Sequence, residues 1–243
     1  MYSRRAIESH LSLSDLYRLF QYKKNFNKKH PQYFHPDGLI VYTGWQGSGK
    51  TLSAVRYVCN LMRLYPCCKL VTNISISEYP VDNERVFHFK DSRDLAKYEN
   101  GELGIIFLID EIQLYFSSLQ SKNIDPQVLV EISQQRKQRK HIVCTSQVFG
   151  RLAKPLREQF NCVVLCRNFL GGIQYNKYLR QENIKTDDDY MHLQGRADKV
   201  DIFIHSVRDY CNYDTYAKVN DISKNDVKGG HDIYDRNFVT SNN

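Results

Sequence analysis

The octapeptide GWQGSGKT, residues 44–51, limits the possible folds of this chain more than any other stretch. It follows the apolar run LIVYT, residues 39–43, and precedes a helical pattern that runs from Lys50 to just before Pro66. A glycine-rich loop between a strand and a helix can turn its backbone N–H groups inward around phosphate oxygens at the positive end of the helix. The octapeptide has the spacing G-x-x-x-x-G-K-[ST] and therefore predicts a phosphate-binding loop, or P-loop, that holds a nucleotide.

The side chains and the backbone of the P-loop have different predicted roles. Lys50 is expected to reach the β and γ phosphates of ATP, and the Thr51 hydroxyl is expected to ligate Mg²⁺. Backbone amides would bind the other phosphate oxygens. The predicted contacts to the nucleotide are made by Gly44, Gln46, Gly47, Ser48, Gly49, Lys50, Thr51 and Leu52.

A second motif, GIIFLIDEI at residues 104–112, brings two acids to the end of an apolar run. Asp110 at the carboxyl end of a buried strand is placed to hold Mg²⁺ through water, and Glu111 is placed to polarise the water that attacks the γ phosphate. Two acids that merely end a strand are the alternative. Beside a P-loop, the pair predicts hydrolysis of ATP.

The run HIVCTSQ, residues 141–147, predicts a further strand that ends in polar residues. The carboxyl ends of parallel strands open beside the bound ligand, so a side chain there can hydrogen-bond the γ phosphate. Gln147 is the predicted sensor of that phosphate. A polar residue that simply enters a loop is the alternative.

Apolar strand candidates alternate with helical patterns through the middle of the chain. Strands that are apolar on both faces and separated by helices are what a parallel sheet covered on two sides requires. The predicted fold is α/β, a P-loop NTPase with a mainly parallel central sheet covered by helices on both faces. The strand candidates are residues 39–43, 69–73, 85–89, 104–110, 141–147 and 161–166, with a helix starting at Pro126 behind the capping residue Asp125.

Two strand candidates, residues 69–73 and 85–89, lie between the P-loop and the acidic pair in sequence. We therefore expect at least one strand to be inserted between the P-loop strand and the Asp110 strand. An inserted strand and a glutamate after the aspartate indicate the ATPases with an additional strand and a catalytic glutamate. The chain has no N-K-x-D motif for guanine.

Changes of composition divide the chain into three predicted regions. Residues 1–37 form a basic extension, residues 38–220 the ATPase domain and residues 221–243 a polar tail too hydrophilic to bury itself. Beyond residue 170 apolar and polar residues alternate more regularly, which is consistent with edge strands. The extension contains a predicted helix capped by Ser14 or Asp15 and carrying Leu16, Leu19 and Phe20.

The seven cysteines are an odd number and fall mostly in apolar patterns, which suggests a reducing cytoplasm. Cys162 and Cys166 are predicted to be buried strand thiols rather than a metal site. No apolar stretch approaches the ~18 residues that span a bilayer, so we expect a soluble protein. The net charge of +7 permits a polyanionic partner.

Basic residues lie on both sides of the predicted Gln147 strand. Three interpretations are open: a solvated helix face, a nucleic-acid contact surface, or arginines inserted into the active site of a neighbouring subunit. The residues concerned are Arg136, Lys137, Arg139 and Lys140 before the strand, and Arg151, Lys154 and Arg157 after it.

From the P-loop through LIDEIQLYF, the basic stretch, HIVCTSQ and PLREQFNCVV, the chain resembles the zonular occludens toxin (Zot) family. That family includes the ATPase domain of filamentous-phage assembly proteins and is similar to the HerA/FtsK-type ATPases that package viral genomes. The resemblance covers about residues 38–220 and includes YDTY at residues 213–216.

The resemblance implies ATP hydrolysis that moves or extrudes DNA, in a homo-oligomeric ring with active sites between subunits. An arginine supplied in trans is expected, with Arg136 and Arg139 as the first candidates and Arg151 and Arg157 as further ones. Viral capsid or assembly proteins are possible partners.

Filamentous-phage assembly proteins typically continue into a membrane-spanning helix, which this sequence lacks. The expectation is therefore a soluble viral motor, in the host cytoplasm or associated with the virion. An export factor that acts at a membrane through a partner, and a nucleotide-dependent scaffold, are the alternatives.

Overall fold

A computed structural model describes residues 12–36, 38–81, 83–117, 124–186 and 193–213. The polar tail at residues 221–243 and residues 214–216 of the YDTY motif lie outside the described residues. The described part contains, in order, α1 (Leu13–Lys29), β1 (Gly38–Thr43), α2 (Lys50–Leu64), β2 (Lys69–Thr72), β3 (Val86–His88), α3 (Asp94–Lys97), β4 (Ile105–Ile109), α4 (Pro126–Gln134), β5 (Lys140–Ser146), α5 (Lys154–Arg157), β6 (Phe160–Phe169), β7 (Ile173–Arg180), β8 (Ile184–Thr186), β9 (Leu193–Gly195), β10 (Lys199–Ile204) and α6 (Val207–Cys211).

Eight strands form one sheet in the order β10-β7-β6-β1-β5-β4-β2-β3. The six strands from β6 to β3 are parallel to their neighbours, and β7 and β10 are added antiparallel at one end. Both the predicted α/β class and the mainly parallel sheet are confirmed. Of the two strands that the pattern beyond residue 170 placed at an edge, β10 is the edge strand and β7 lies one strand inside it.

A strand is inserted between the P-loop strand β1 and the acid-bearing strand β4, but it is β5. The expectation that β2 or β3 would occupy this place is wrong, because both lie beyond β4. Every residue of β5 is buried, as a strand with neighbours on both sides requires, whereas β3 ends in an exposed residue.

Two apolar clusters cover the two faces of the sheet. Alternate residues of β1 point to opposite faces: Tyr42 packs with α2, and Leu39 and Val41 pack with the cluster that contains α4. Burial on both faces explains why the central strands are continuous apolar runs. The carboxyl ends of the parallel strands, where β1 leads into the P-loop, are thereby left as the edge open to a ligand.

Helix α1 forms as predicted but is capped by Ser12, whose hydroxyl accepts a hydrogen bond from the Asp15 amide at 3.3 Å, and not by Ser14 or Asp15. None of its residues is buried, and Leu16, Leu19 and Phe20 are exposed. The described residues include no helix with the length and apolar character needed to cross a membrane.

The predicted extension is joined to the core through Phe34, which is fully buried. Its ring lies so close to Gly104 that a Cβ there would be 2.1 Å from the Phe34 Cγ atom. The Phe34 amide also donates to the Glu102 carbonyl at 3.1 Å. Residues just before β1 are therefore packed against the amino end of the sheet.

Candidate nucleotide-binding site

The P-loop connects β1 to α2, and its glycines adopt backbone angles that other residues rarely reach. Gly49 begins α2 with a φ of 79°. A Cβ at this position would lie 2.0 Å from the Gln174 side-chain oxygen, so only glycine fits here. Lys50 is buried, and its ammonium group donates to the Trp45 carbonyl at 3.1 Å. The lysine charge is thus held inside the loop.

The P-loop and the acidic pair meet at one point. The Thr51 hydroxyl donates to Asp110 Oδ1 at 2.9 Å, and the Thr145 hydroxyl donates to the same oxygen at 2.6 Å. These residues come from the start of α2 and the carboxyl ends of β4 and β5. Burial raises the pKa of Asp110, and the two threonine hydrogen bonds oppose that rise.

Asn73 fixes the backbone of Asp110 from the neighbouring strand β2. Its side-chain oxygen accepts from the Asp110 amide at 2.8 Å, and its side-chain nitrogen donates to the Asp110 carbonyl at 3.0 Å. Neither Asn73 nor Thr145 was assigned a role from the sequence. The available signal was that both end apolar runs whose carboxyl ends meet at the ligand edge of a parallel sheet.

Glu111 has a left-handed backbone with a φ of 51°, which is unusual for a residue with a Cβ. Its amide donates to the Thr145 hydroxyl at 2.9 Å, so Thr145 contacts both acids. Its carboxylate accepts hydrogen bonds from the side-chain amides of Gln113 and Gln147, the latter at 3.2 Å. Strained backbone of this kind is common at functional sites.

The oxygens of Thr51 and Asp110 suit Mg²⁺. This ion prefers hard oxygen ligands and is usually bound through one or two protein groups, with the remaining positions taken by phosphate oxygens and water. A hydroxyl and a carboxylate at the end of a phosphate-binding loop match that ligand set. The predicted metal-binding pair therefore fits the group that an ATP site requires.

The structure changes the interpretation of the basic residues before β5. Helix α4 ends at Gln134, so Arg136 and Arg139 lie in the turn that follows and not on a helix face. Lys140 belongs to β5 and is 1% exposed, with its ammonium group 2.8 Å from the Leu95 carbonyl and 3.0 Å from Glu131. Lys140 is therefore a core residue, and neither a solvated face nor a contact surface.

Arg139 is engaged at the amino end of the sheet, opposite the P-loop. Its guanidinium group donates to the Phe34 carbonyl at 2.8 Å and lies 3.7 Å from the centre of the Tyr33 ring. Arg136 is exposed in the same turn. Within one chain, therefore, neither predicted arginine is near Lys50.

The basic residues after β5 lie in the segment that runs from the carboxyl end of β5 back to the amino end of β6. Arg151 and Lys154 are exposed, and Arg157 donates to the Gly150 carbonyl at 2.9 Å. The structure thus brings together the P-loop, Asp110, Glu111 and Gln147, and leaves the arginines outside this group.

Comparison with known proteins supports the fold seen here. The family model described as "Zonular occludens toxin (Zot)" matches residues 38–210. The N-terminal domain of zonular occludens toxin from Neisseria meningitidis superimposes with a TM-score of 0.51 at 18% identity, over 74% of this chain and 100% of that one. No curated protein sequence matches.

Two further solved structures are similar at lower TM-scores. One is the genome packaging NTPase B204 from Sulfolobus turreted icosahedral virus 2 in complex with ATP-gammaS, with a TM-score of 0.42 at 14% identity over 54% of this chain and 75% of that one. The other is EccC (ATPases 2 and 3) from Thermomonospora curvata, with a TM-score of 0.41 at 10% identity over 60% of this chain and 35% of that one. Because the family model matches more than half of the sequence, over the same residues that form the P-loop fold, this chain belongs to the zonular occludens toxin (Zot) family.

Proposed function

We propose that this chain hydrolyses ATP and couples the hydrolysis to translocation or packaging of DNA during the assembly of a virus or phage. The observation that carries the hydrolytic part is the 2.9 Å contact between Thr51 of the P-loop and Asp110 of the acidic pair. Two side chains that are 59 residues apart in sequence are in direct contact there. Such convergence is what a site for a metal-bound triphosphate requires.

Each residue of the site has its own role in the proposed reaction. The P-loop amides and Lys50 bind the phosphates, and Thr51 and Asp110 would hold Mg²⁺, which neutralises phosphate charge when bound. Glu111 orients the attacking water and accepts its proton. The two glutamine amides on the Glu111 carboxylate keep that group directed into the site.

Gln147 is suited to report the γ phosphate through Glu111. Its amide group donates to Glu111 at 3.2 Å, and a γ-phosphate oxygen is also a charged acceptor that can compete for the same N–H groups. Transfer of this hydrogen bond to the γ phosphate would change the orientation of the catalytic carboxylate. Hydrolysis would then reverse the change.

We propose a homo-oligomeric ring in which one subunit supplies an arginine to the site of the next. Arg136 is exposed and remains the first candidate. The guanidinium group of Arg139 contacts Phe34 and Tyr33 at the end of the sheet opposite the P-loop, and Arg139 is assigned a structural role. A mixing experiment tests Arg136. Lys50→Ala and Arg136→Ala subunits should each be inactive alone, and their mixture should regain part of the activity because some interfaces contain both native groups. A mixture that stays inactive excludes Arg136.

The DNA-coupled function is tested by measuring the ATPase rate with and without DNA at two salt concentrations. We expect DNA to raise the rate, and higher salt to reduce this stimulation, because contacts to phosphates release counterions. Lys50→Ala controls for contaminating ATPases. A rate that does not respond to DNA at either salt concentration would reject the motor and favour an export factor or a scaffold.

A further inference from the structure

We propose that Gln174 is a positioning residue of the nucleotide site, which holds the P-loop in its phosphate-binding conformation from strand β7. This role rests on the nucleotide binding proposed above. Gln174 is 130 positions downstream of Gly44, on the antiparallel part of the sheet, and no P-loop motif includes it. It is 0% exposed.

Every hydrogen-bonding group of the Gln174 side chain is used. The amide nitrogen donates to the Ser48 carbonyl and to Asn176 Oδ1, each at 2.9 Å. The amide oxygen is 3.1 Å from His205 Nε2. Because both neighbours of the nitrogen are acceptors, the orientation of the amide is determined, and His205 must present an N–H to the oxygen.

The contact with Ser48 determines where the next amide points. In a planar trans peptide the carbonyl and the following N–H group point in opposite directions. A Ser48 carbonyl held towards Gln174 therefore turns the Gly49 N–H away from Gln174, and in the proposed function this N–H is one of the amides that bind phosphate. Gln174 also occupies the space where a side chain at Gly49 would lie, so the loop and this residue are packed in direct contact.

The polar positions of β7 continue this support into α2. Asn176 is 1% exposed, lies on the same face of β7 as Gln174, and donates to the Ser53 hydroxyl at 3.0 Å. Ser53 belongs to the first turn of α2. Buried polar side chains are costly unless they are bonded, and here one bond from each side chain leads to the loop or to the helix that follows it.

The test is a titration of the full chain with ADP or with a non-hydrolysable ATP analogue, followed by fluorescence. Trp45 is the sole tryptophan of the sequence, lies within the P-loop and is 86% exposed, so its emission reports the loop directly. Gln174→Met keeps the volume of the side chain but cannot donate to Ser48. We expect roughly tenfold weaker binding from the loss of the buried hydrogen bond to the Ser48 carbonyl.

The control is Gln181→Met, at an exposed glutamine. The Gln181 amide also donates to a backbone carbonyl, that of Glu158 at 3.0 Å, but it lies beyond the other end of β7. This variant should bind nucleotide as the wild type does. Thermal unfolding without nucleotide shows whether each variant is folded.

Gln174→Glu separates positioning from packing and is the deciding variant if Gln174→Met does not fold. A carboxylate cannot donate to the Ser48 carbonyl, whereas the protonated acid can. The affinity of this variant, relative to the wild type at the same pH, should therefore improve as the pH falls from about 8 towards about 5, because burial favours the protonated form of a carboxyl at this position. The titratable group that contacts this side chain is His205, which faces it in both proteins.

Three outcomes would count against the role of Gln174, and a fourth would count against the proposed function. Wild-type affinity in Gln174→Met, or a pH-independent affinity ratio in Gln174→Glu, would overturn the role of Gln174. Equal weakening in Gln181→Met would do the same, because the effect would then not be specific to the loop. If the wild-type chain itself binds no nucleotide, the proposed function fails first.

Discussion

Replacement of Thr145 should show how the acidic pair, Asp110 and Glu111, is held beside the P-loop. Thr145→Val keeps the shape of the side chain and removes its hydroxyl, which donates to Asp110 at 2.6 Å and accepts from the Glu111 amide at 2.9 Å. Thr145 is 0% exposed, so water does not readily replace the lost partner. The variant therefore leaves a buried N–H unpaired and a carboxylate with one donor fewer.

The expected loss of unfolding free energy has two parts. A buried backbone N–H without a partner costs about 1–3 kcal/mol, and the loss of a hydrogen bond to a charged group costs about 1.5–3 kcal/mol. Thr72→Val is the matched control, because Thr72 is also a buried strand threonine whose hydroxyl accepts a backbone amide, that of Ile74 at 3.1 Å. The difference between the two variants isolates the bond to Asp110, about 1.5–3 kcal/mol.

The loss of unfolding free energy in Thr145→Val should depend on pH, because Asp110 titrates. Burial raises the folded-state pKa of Asp110, and the Thr145 hydrogen bond lowers it, so Thr145→Val should raise the pKa further. The ionised carboxylate loses the donor, so the extra destabilisation is full at neutral pH. The extra destabilisation becomes smaller as the pH falls through the raised pKa of Asp110 in the variant, because a protonated carboxyl loses a weaker hydrogen bond when the hydroxyl is removed.

Urea unfolding of both variants at several pH values between about 5 and 8, with the ATPase rate at about pH 7.5, measures these quantities. Equal destabilisation of Thr145→Val and Thr72→Val at neutral pH, with no change between the two as the pH falls, would refute the energetic role of the Thr145 to Asp110 contact. Wild-type turnover in Thr145→Val would refute its role in placing the acidic pair.

Three other predictions use simpler changes. Lys50→Ala should weaken nucleotide binding by roughly a hundredfold, measured from Trp45 fluorescence, since a charged contact to phosphate is lost; unchanged affinity would place the nucleotide elsewhere. Glu111→Gln should retain binding and lower kcat by about 10²–10⁴, and undiminished turnover would remove Glu111 from its role. In the native chain, iodoacetamide followed by mass spectrometry should label the exposed Cys67 and Cys211 first, because the other five thiols are buried or half-buried; rapid labelling of any of those would contradict the packing.

Local patterns in the sequence were sufficient to predict the parts that depend on neighbours in the chain. The P-loop follows from a fixed spacing of glycine, lysine and threonine between a strand and a helix, and the family resemblance follows from this stretch together with the later motifs up to about residue 220. The acidic pair is recognisable because it ends a run that is apolar on both faces. The cap of α4 by Asp125 also depends on short-range backbone geometry, and the structure confirms it.

Tertiary structure decided everything that depends on strand order. That β5 lies between β1 and β4 is set by pairing between distant segments, which hydrophobic periodicity does not encode, and this position is what brings Thr145 to both acids. The same holds for Gln174, whose contact with Ser48 spans 126 residues, and for the burial of Lys140. The sequence by itself predicted which residues would bind a phosphate and a metal, because those residues lie in short local motifs; only the order of strands in the sheet determined which other side chains contact them.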